Sequence, residues 1–583
     1  MSAPAKPFDP QRHREPLLAL LRELDGLPEG QWSPRRIDGV LRRHPKDGAG
    51  FFSRSDLIAG FRRFGAESGI ALAESAFLAR LRRKPVRTRS GVAPVTVLSK
   101  PFPCPGRCVF CPNDPTMPKS YLASEPGCQR AESHGFDPYL QTWERVRAFR
   151  ETGHPVAKVE LLVLGGTWSY YPQAYQIWFV KRCLEALNDF GAGRDGRGTV
   201  RRGPDFRDLR VVAGGSYNAT VSARLREADA THERAHFAEL EAAQASNETS
   251  AIRCVGLVLE TRPDCIEEVE VMRLRRLGAT KIQLGVQSLD DAVLARNRRG
   301  HDAEASRRAV TLLRRAGFKI HLHWMPNLLG ATPRTDASDF LQLFRDPALR
   351  PDELKIYPCS LIEGTELVDH HRSGAWRPYE DAELTGLLVH ALASVPEYCR
   401  VTRVIRDIPS QEILVGNRRT NLREVAERAL AARGGGGLDV RRREVGDDAV
   451  DPETIGLRRT EYASRAGREV FLQAVTPDDR IAGFARLSLP RFEAFVPELV
   501  GRALLRELHV YGPALELGRR DPGRAQHAGL GQRLVAAASE RAAEAGFPQM
   551  AVISAVGTRP YYRRLGFRDG DLYPHRETRP RRR

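Results

Sequence analysis

The sequence contains few lysines, few cysteines and no long apolar run. Ten of its 91 basic residues are lysines, and nine cysteines are spread over 583 residues, none of them after Cys399. The longest apolar runs, such as VELLVLGG and CVGLVLE, have the length of a strand, and the start MSAPAKPFDPQRHREP lacks the apolar region of a signal peptide. We therefore expect no membrane segment and no disulfide framework, and we expect a cytoplasmic protein whose clustered cysteines bind metal or react.

The chain is rich in arginine instead. Subtracting the ten lysines from the 91 basic residues leaves 81 arginines, and the formal net charge is +18. This excess favours an anionic partner, most commonly nucleic acid for a protein of this size, although the arginines alone could also reflect a GC-rich genome. With 41% hydrophobic residues, a chain of 583 residues is long enough for two or three domains.

Changes of pattern divide the chain into segments. Residues 1–84 predict a helical basic segment, either a small bundle or an RNA-docking module. From 85 to 390, β-branched runs such as KIQLGVQS alternate with amphipathic ones, which predicts a parallel sheet, open or curled into a partial barrel. Residues 191–250 form an insertion there, with one charged surface helix in ARLREADATHERAHFAELEAAQ. A linker is expected at 391–440, before a separate α/β domain at 441–583.

Three cysteines fall within eight positions of PCPGRCVFCP. Cys104, Cys108 and Cys111 have the spacing C-x3-C-x2-C directly after a predicted strand. Three thiolates on a tight loop bind three irons of a 4Fe-4S cluster and leave the fourth iron open to a small molecule. A structural zinc site would need a fourth ligand, for which His134 and Cys128 are the nearest candidates at unusual spacings. Three buried structural thiols are the other alternative.

This cysteine spacing, placed after the first strand of a β/α series, resembles the radical S-adenosylmethionine superfamily. Three later features agree with it: LGGT resembles the glycine turn that contacts the methionine amino group, LETRPD lies on the next strand, and LGVQSLDDAVLARNRRGH resembles a strand and helix of that superfamily. The resemblance implies reductive cleavage of S-adenosylmethionine to a 5'-deoxyadenosyl radical. It also implies that this cofactor is contacted by Gly165, Gly166, Thr167, Glu260 and Gln287.

A second motif, QHAGLGQRL, has the pattern Q-x-x-G-x-G directly before a predicted helix. Glycines let the backbone approach a pyrophosphate, and the free N–H groups of a helix start bind its charge. With MAVISAVGTRPYYRRLGF downstream, the segment resembles the GNAT acetyltransferase fold, whose ligand is acetyl-CoA. The resemblance implies that acetyl-CoA contacts the turn and the strand before it, namely Gln526, Gly529, Leu530, Gly531 and Gln532, and Glu507, Leu508, His509 and Val510.

Two tyrosines follow in the same segment. A tyrosine at the first position of Y-x-x-x-G-F resembles the general acid of many GNAT enzymes, which implies that Tyr562 acts at the thioester. Tyr561 and Tyr562 also have the alternative role of core aromatics, and for one of the two we expect that role.

A radical S-adenosylmethionine domain followed by a GNAT domain is a rare pairing. Between about 90 and 568, the phrases FDPYLQTWERV, RVTRVIRDIPS, GNRRTNLRE and RELHVYG resemble the catalytic subunit of Elongator and its single-chain prokaryotic relatives. That resemblance implies a tRNA-modifying enzyme that binds the anticodon stem-loop and attaches a carbon unit of acetyl-CoA to carbon 5 of the wobble uridine, giving carboxymethyluridine. Lys158 matches the lysine through which the family contacts acetyl-CoA from the radical domain. Lys355, on the last predicted strand, is either catalytic or salt-bridged.

Two other functions stay open from the sequence. One is a protein lysine acetyltransferase that uses the GNAT domain alone and keeps a structural cluster, and the other is a non-catalytic tRNA-binding scaffold. CPNDP stands where that family usually has CPGGP, and the insertion exceeds the family's usual connection. A monomer and a homodimer are both compatible with the sequence.

Overall fold

The computed structural model describes residues 8–578, except for 49, 68, 71, 83–87, 89, 213–214, 229–230, 447, 449, 492–493 and 512–528. The helices are α1 (Arg14–Asp25), α2 (Pro34–Arg43), α3 (Arg54–Phe64), α4 (Glu74–Leu81), α5 (Pro126–Ser133), α6 (Pro138–Glu151), α7 (Gln173–Gly191), α8 (Tyr217–Glu227), α9 (Phe237–Asn247), α10 (Glu268–Arg276), α11 (Asp291–Arg296), α12 (Ala303–Arg315), α13 (Pro333–Arg345), α14 (Leu367–Arg372), α15 (Asp381–Ser394), α16 (Leu422–Ala432), α17 (Leu530–Glu544) and α18 (Arg559–Arg564). The strands are β1 (Ala93–Leu98), β2 (Lys158–Leu164), β3 (Arg253–Thr261), β4 (Lys281–Gln287), β5 (Lys319–Trp324), β6 (Glu353–Ile356), β7 (Leu361–Ile362), β8 (Arg400–Arg403), β9 (Ile413–Val415), β10 (Gly456–Ser464), β11 (Gly467–Val475), β12 (Ile481–Pro490), β13 (Arg502–Val510), β14 (Gln549–Val552) and β15 (His575–Glu577). No helix in these described ranges is both long and apolar enough to cross a membrane.

The N-terminal helices α1 to α4 pack around a core of their own. The side chain of Ser53 caps α3 in a capping box with Asp56, which fixes where that helix begins. Phe61 and Phe77 stack with their ring centres 4.1 Å apart at the centre of this core. The predicted helical character of this segment is confirmed.

Seven strands form a parallel sheet in the order β1-β2-β3-β4-β5-β6-β8. Their residues are mostly apolar and buried, as expected of strands covered on both faces. Residues from strands at both edges of the sheet, Pro94 on β1 and Thr402 on β8, line one common cavity. The sheet is therefore curved, and the partial barrel is the alternative that the structure confirms over an open sheet.

The segment 391–440, for which the sequence predicts a linker, contributes to this domain. β8 pairs with β6, and α16 packs against α15. Four consecutive glycines, 434–437, follow shortly after the end of α16, and the first of them, Gly434, has a φ of +70°. The glycines thus mark the end of a helix. Because β8 follows β6 in the sheet, Lys355 lies on the second-to-last strand and not on the last one.

The insertion also differs from its prediction. Instead of one charged surface helix, the structure has α8 and α9, separated by a non-helical stretch that includes Glu233. Glu233 is buried and forms an ion pair with the buried Lys100 beyond β1. His236 and Glu239 then form a capping box that starts α9 as a new helix. The inward-facing carboxylate explains why the charged stretch does not run on as one surface helix.

The C-terminal sheet has the order β10-β11-β12-β13-β14-β15, and only the pair β13 and β14 is parallel. That pair covers only Arg502 to Leu505, because β14 ends at Val552. A β-bulge beside Arg506 bends β13 just beyond this point. Among the described strands, none pairs with residues 506–510 on the β14 side, so this stretch forms an open edge.

A buried network of ion pairs joins the two sheets. Arg506 on β13 donates to both oxygens of Asp352, which precedes β6, at 3.1 and 3.0 Å. Arg486 on β12 lies 3.5 Å from Asp352 and 2.8 Å from Glu507, and Lys319 at the start of β5 also pairs with Glu507. Although burial opposes it, the nearby guanidinium groups lower the pKa of Asp352 to about 2. The network fixes the C-terminal domain against the amino-terminal ends of the barrel strands.

We expect an Arg506→Met protein to be markedly less stable, since it leaves the fully buried Asp352 without its bidentate partner. Removing one member of a buried pair costs about 3–5 kcal/mol. Scanning calorimetry should show a lower transition temperature, and an Asp352→Leu change added to Arg506→Met should recover part of it. Arg194→Met, which removes a surface pair with Asp189, is the control and should cost less than about 1 kcal/mol. Equal losses in the two single variants would contradict a structural role for the network.

Candidate functional site

The three motif cysteines lie on the loop after the carboxyl end of β1. Cys104 and Cys111 are half-buried, and Cys108 is buried. Arg299 donates to the Cys108 sulfur at 3.1 Å. The hydrogen bond with Cys111, together with the cations of Arg299 and Arg262, holds the pKa of Cys108 well below its usual range. The surroundings therefore favour the thiolate form at Cys108, whereas the hydrogen bond with Cys108 and burial raise the pKa of Cys111 well above its usual range.

The donor set fits an iron–sulfur cluster better than a zinc ion. In the part of the chain that the structure describes, no three Cys, His, Asp or Glu side chains gather around a point where one metal ion could lie. A cubane takes each thiolate at a different iron, so its cysteines need not converge on one point. Cys128, a candidate zinc ligand, is buried in α5, where burial raises the pKa of its thiol to about 12. His134 lies just past the end of that helix.

The glycine turn after β2 lies against the cysteine loop. Gly165 and Gly166 have φ values of +113° and +62°, and a Cβ on Gly165 would lie 2.5 Å from the Ser99 hydroxyl oxygen. Both observations explain why glycine stands there. The Thr167 hydroxyl oxygen is 3.5 Å from the sulfur of Cys104. The structure thus brings the predicted Gly165–Thr167 turn and the first cysteine together.

Two further predicted residues lie at the carboxyl ends of neighbouring strands. Glu260 is near the end of β3, and burial raises the pKa of its carboxyl group. Gln287 ends β4 with a φ of +70°, and its buried side-chain oxygen has no hydrogen-bond partner among the described residues. A strained, unsatisfied amide at the same end of the barrel as the cysteine loop is available to a ligand.

A cavity of about 1130 Å³ lies between the barrel and the C-terminal domain. It brings together most of the residues predicted to act on acetyl-CoA: Lys158, Lys355, Glu507, Leu508, His509, Val510, Gly529, Gly531, Gln532, Tyr561 and Tyr562. Leu530 is different, because its side chain is fully buried in the hydrophobic core and is not among the lining residues. Gln526 lies outside the described residues.

The cavity lies at the amino-terminal ends of the barrel strands, opposite the cysteine loop. Lys158, Lys281 and Lys319 are the first residues of β2, β4 and β5, and all three line it. It also extends into the barrel, where Gln283 and Lys355 stand two residues further along their strands. The interior of the barrel therefore lies between the C-terminal domain and the predicted cluster site.

The open edge of β13 and the start of α17 form one wall of the cavity. Gly529 precedes the helix with a φ of +73°, and in the described part of the chain no N-cap side chain accepts from the first N–H groups of α17. A Cβ on Gly531 would lie 2.5 Å from the Tyr561 hydroxyl. The buried side-chain nitrogen Nε2 of His509 has no partner among the described residues. The sequence predicts that the helix begins directly after the Q-x-x-G-x-G motif. In the structure it begins within the motif, at Leu530.

Four of the ten lysines line this cavity. Two of them form ion pairs with carboxylates and two do not. Lys281 pairs with Glu160 and Glu353, and Lys319 pairs with Glu353 and Glu507. Within the described ranges, neither of the other two, Lys158 and Lys355, has a carboxylate at ion-pair distance. Burial lowers the pKa of both.

Lys355 donates to the side-chain oxygen of Gln283, which also accepts from His323 Nε2 at 2.9 Å. The salt-bridged role that the sequence leaves open for Lys355 is therefore not the one seen. Gln283, His321 and His323 are site residues that the sequence reasoning missed. Their signal is the two-residue spacing in KIQLG and KIHLHW, which places them on the same face of β4 and β5 as the barrel interior.

Burial lowers the pKa of Lys355 to about 8, below the value near 10.4 of an unfolded lysine. Below pH 8 the lysine is charged in both the folded and the unfolded state, so its burial lowers the free energy of unfolding by the full amount. This loss of stability disappears as the pH rises toward 10.4, because the folded protein then holds the lysine neutral. Between pH 8 and 10.4 we therefore expect the free energy of unfolding of wild type to rise by up to about 3 kcal/mol relative to that of Lys355→Met. Thermal unfolding of both proteins from pH 7.5 to 10 measures it, with Lys181→Met on the surface as the control. A difference that does not change with pH would contradict the buried charge.

Comparison with known proteins agrees with this arrangement. Residues 103–340 match the radical SAM superfamily, and residues 351–432 match the Radical_SAM C-terminal domain. The chain is 38% identical over 494 residues to a tRNA uridine(34) acetyltransferase of Dehalococcoides mccartyi, covering 83% of this chain and 97% of that protein. It is 35% identical to Elongator complex protein 3 of Danio rerio, covering 84% of this chain and 85% of that protein.

A solved structure gives the same result for the fold. The archaeal Methanocaldococcus infernus Elp3 with its N-terminus deleted superposes with a TM-score of 0.67 at 33% identity, covering 84% of this chain and all of that chain. The chain therefore belongs to the radical SAM family that contains the tRNA uridine(34) acetyltransferases and Elongator complex protein 3.

Proposed function

We propose that this protein is a radical SAM enzyme of the acyltransferase type that forms carboxymethyluridine at carbon 5 of the wobble uridine of tRNA, with acetyl-CoA as the carbon donor. The observation that carries the proposal is the single cavity shared by the barrel and the C-terminal domain. An enzyme that only acetylated lysine would have no use for a thioester site that opens into a radical SAM barrel. We place the radical SAM domain at residues 85–432, so that it includes β8 and α16, the GNAT-type domain at residues 441–583, and the protein in the cytoplasm.

The residues at the carboxyl end of the barrel would hold the redox cofactors. Cys104, Cys108 and Cys111 would bind a 4Fe-4S cluster, while the Gly165–Thr167 turn and Gln287 would contact S-adenosylmethionine. When bound, these groups supply a 5'-deoxyadenosyl radical able to take a hydrogen atom from the acetyl methyl group. The guanidinium groups of Arg299 and Arg262 would stabilise the Cys108 thiolate by their positive charge.

Carbon 5 of uracil is a poor nucleophile, so ordinary acyl transfer to it is unfavourable. A carbon radical on the acetyl methyl group instead forms a carbon–carbon bond to the ring. Restoring the double bond of the ring then requires the loss of one electron and of the proton on carbon 5, and the bound cluster, oxidised by the reductive cleavage of S-adenosylmethionine, would supply the electron acceptor. Water cleaves the thioester, so that CoA leaves as the thiol and the carboxymethyl group stays on the base.

The C-terminal domain would hold acetyl-CoA on the wall described above. The N–H groups at the start of α17 would bind the pyrophosphate, where Gly531 leaves room for it. The open edge at Glu507 to Val510 would hydrogen-bond the pantetheine backbone. Tyr562 lines the cavity and packs on Phe567, and its hydroxyl would protonate the departing thiolate.

The two unpaired lysines would serve the acetyl group. Lys158 lies at the mouth of the barrel, and Lys355 lies further inside, next to Gln283 and His323. A cation near the thioester carbonyl would stabilise the negative charge that develops on its oxygen. Lys319, whose charge is neutralised by Glu353 and Glu507, would instead hold the two domains together, and Lys281, paired with Glu160 and Glu353, would join strands of the barrel.

The tRNA would be held by its phosphates. Arg403, Arg441 and Arg564 line the cavity, and the chain as a whole has a net charge of +18. We expect tRNA binding to weaken steeply with salt while acetyl-CoA binding changes little. The anticodon stem-loop is the part of tRNA that would have to reach the site, with the wobble base turned out of its stack.

Mass spectrometry of tRNA nucleosides tests this proposal. A strain that lacks the gene should lose carboxymethyluridine and the nucleosides made from it, and the wild-type gene should restore them. A gene with Lys158→Met and Lys355→Met should not restore them, whereas Lys181→Met should. Unchanged nucleosides in the deletion strain, together with a loss of protein lysine acetylation, would favour the protein acetyltransferase instead.

A further inference from the structure

The segment 191–250 grips the cysteine loop from outside the barrel. In the first turn of α8, the Asn218 side-chain nitrogen donates to the backbone carbonyl of Cys104 at 2.8 Å. The backbone N–H of Cys104 donates back to the Asn218 side-chain oxygen at 3.0 Å. One amide side chain thus satisfies both backbone groups of the first motif cysteine, 114 residues away in sequence.

The neighbouring residue of the same turn holds the other end of the loop. The hydroxyl of the buried Tyr217 donates to the backbone carbonyl of Met117 at 2.9 Å. The Lys119 ammonium lies 4.8 Å from the centre of the Tyr217 ring and donates to the side chain of Asn113. Contacts at the first cysteine and after the third therefore start from two successive residues of one helix.

This helix is firmly anchored. Ser216 caps it by accepting from Ala219 N–H at 3.2 Å. Tyr217 and Val221 are buried in a cluster with Leu98 at the end of β1 and with the core of α5. The buried ion pair between Glu233, in the same segment, and Lys100 adds a third attachment.

We propose that α8 is a clip that closes the cysteine loop, with Asn218 as the positioning residue that fixes the Cys104 backbone for its cluster. This inference rests on the cluster proposed above. A loop whose backbone is already held gives up less conformational freedom when it binds iron, and it opens less often to release it. The insertion therefore serves cluster retention, a role separate from tRNA access.

Hydrogen exchange of the metal-free, full-length protein tests the clip without reference to the cluster. Asn218→Ala should speed amide exchange in peptides that cover 102–108, because the Cys104 N–H loses its acceptor. Thr220→Ala is the matched control on the same helix, since among the described residues the Thr220 hydroxyl bonds to the carbonyl of Ser216 and not to the cysteine loop. Equal exchange in wild type and Asn218→Ala would overturn the inference.

Cluster lifetime tests the consequence. After anaerobic reconstitution, the visible absorbance of the cluster is followed during exposure to an iron chelator. Asn218→Ala should lose it about fivefold faster than wild type, as expected for two solvent-exposed hydrogen bonds of modest strength, and Tyr217→Phe should also lose it faster. Thr220→Ala should match wild type, and all four proteins should share one thermal midpoint before reconstitution.

The outcomes separate the two proposals. A wild-type protein that takes up no iron contradicts the proposed function. Equal cluster lifetimes in wild type, Asn218→Ala and Tyr217→Phe, with normal iron uptake, overturn only the clip.

Discussion

A Cys108→Ser protein, reconstituted anaerobically, is expected to bind little iron and to lose all modifying activity, while wild type binds about four irons per chain. Cys108 is the most buried of the three motif cysteines, and Arg299 donates directly to its sulfur. A serine hydroxyl is not ionised there at neutral pH and is a poor iron ligand. Cys104→Ser and Cys111→Ser should behave in the same way, because the cluster needs all three cysteine ligands of this loop.

The other six cysteines supply the controls for this experiment. Serine in place of each should leave iron content unchanged: Cys128, Cys183, Cys254, Cys265, Cys359 and Cys399. Burial raises the pKa of Cys183, Cys254 and Cys359 to about 12, so these thiols stay protonated. Cys265 is the strictest control because it is only half-buried. Wild-type iron content in Cys108→Ser would remove the cluster assignment.

A Gly531→Glu protein is expected to bind acetyl-CoA at least about 100-fold more weakly than wild type. The new side chain would meet the Tyr561 hydroxyl, 2.5 Å from its Cβ, and would bring a negative charge to the helix start where the pyrophosphate should bind. Both effects oppose the same ligand, so we expect the loss to be large. Isothermal titration calorimetry with acetyl-CoA measures it directly.

The control for this variant is Gly436→Glu. Gly436 is exposed, and a Cβ there has no heavy atom within 4 Å. It adds the same charge without touching the cavity and should keep wild-type affinity. Iron content should be normal in both variants, which separates a local effect from misfolding. Unchanged affinity in Gly531→Glu would place the acetyl-CoA site elsewhere.

The sequence predicts the strands well because strands that are buried on both faces consist mainly of apolar residues. Runs such as VELLVLGG and KIQLGVQS have the length and composition of strands covered on both faces, and each appears as a strand in the barrel. The cysteine loop and the glycine turns can also be predicted from the sequence, because only a few residue types can bind a cluster or let the backbone approach a phosphate. Lys158 and the 507–510 edge are identified only through the family resemblance.

Other features depend on neighbours that are distant in sequence. Asp352 and Arg506 are 154 residues apart, and no local pattern marks either as half of a buried pair. The same holds for Glu233 and Lys100, whose pairing divides the predicted surface helix in two. The glycine run near Gly434 has the composition of a linker, but α15 and α16 pack together before it. These differences arise from tertiary contacts that override local preference.

The central claim is that the acetyl group and the radical meet inside the barrel that separates their two binding sites. Acetyl-CoA with a fully deuterated methyl group tests it most directly. The reconstituted enzyme, given S-adenosylmethionine, a reductant and tRNA, should transfer deuterium to 5'-deoxyadenosine, and carboxymethyluridine should retain the other two deuterium atoms. Omitting tRNA should greatly reduce this transfer, since a site completed by its acceptor protects the radical. Formation of 5'-deoxyadenosine without deuterium, while lysine residues become acetylated, would contradict the account.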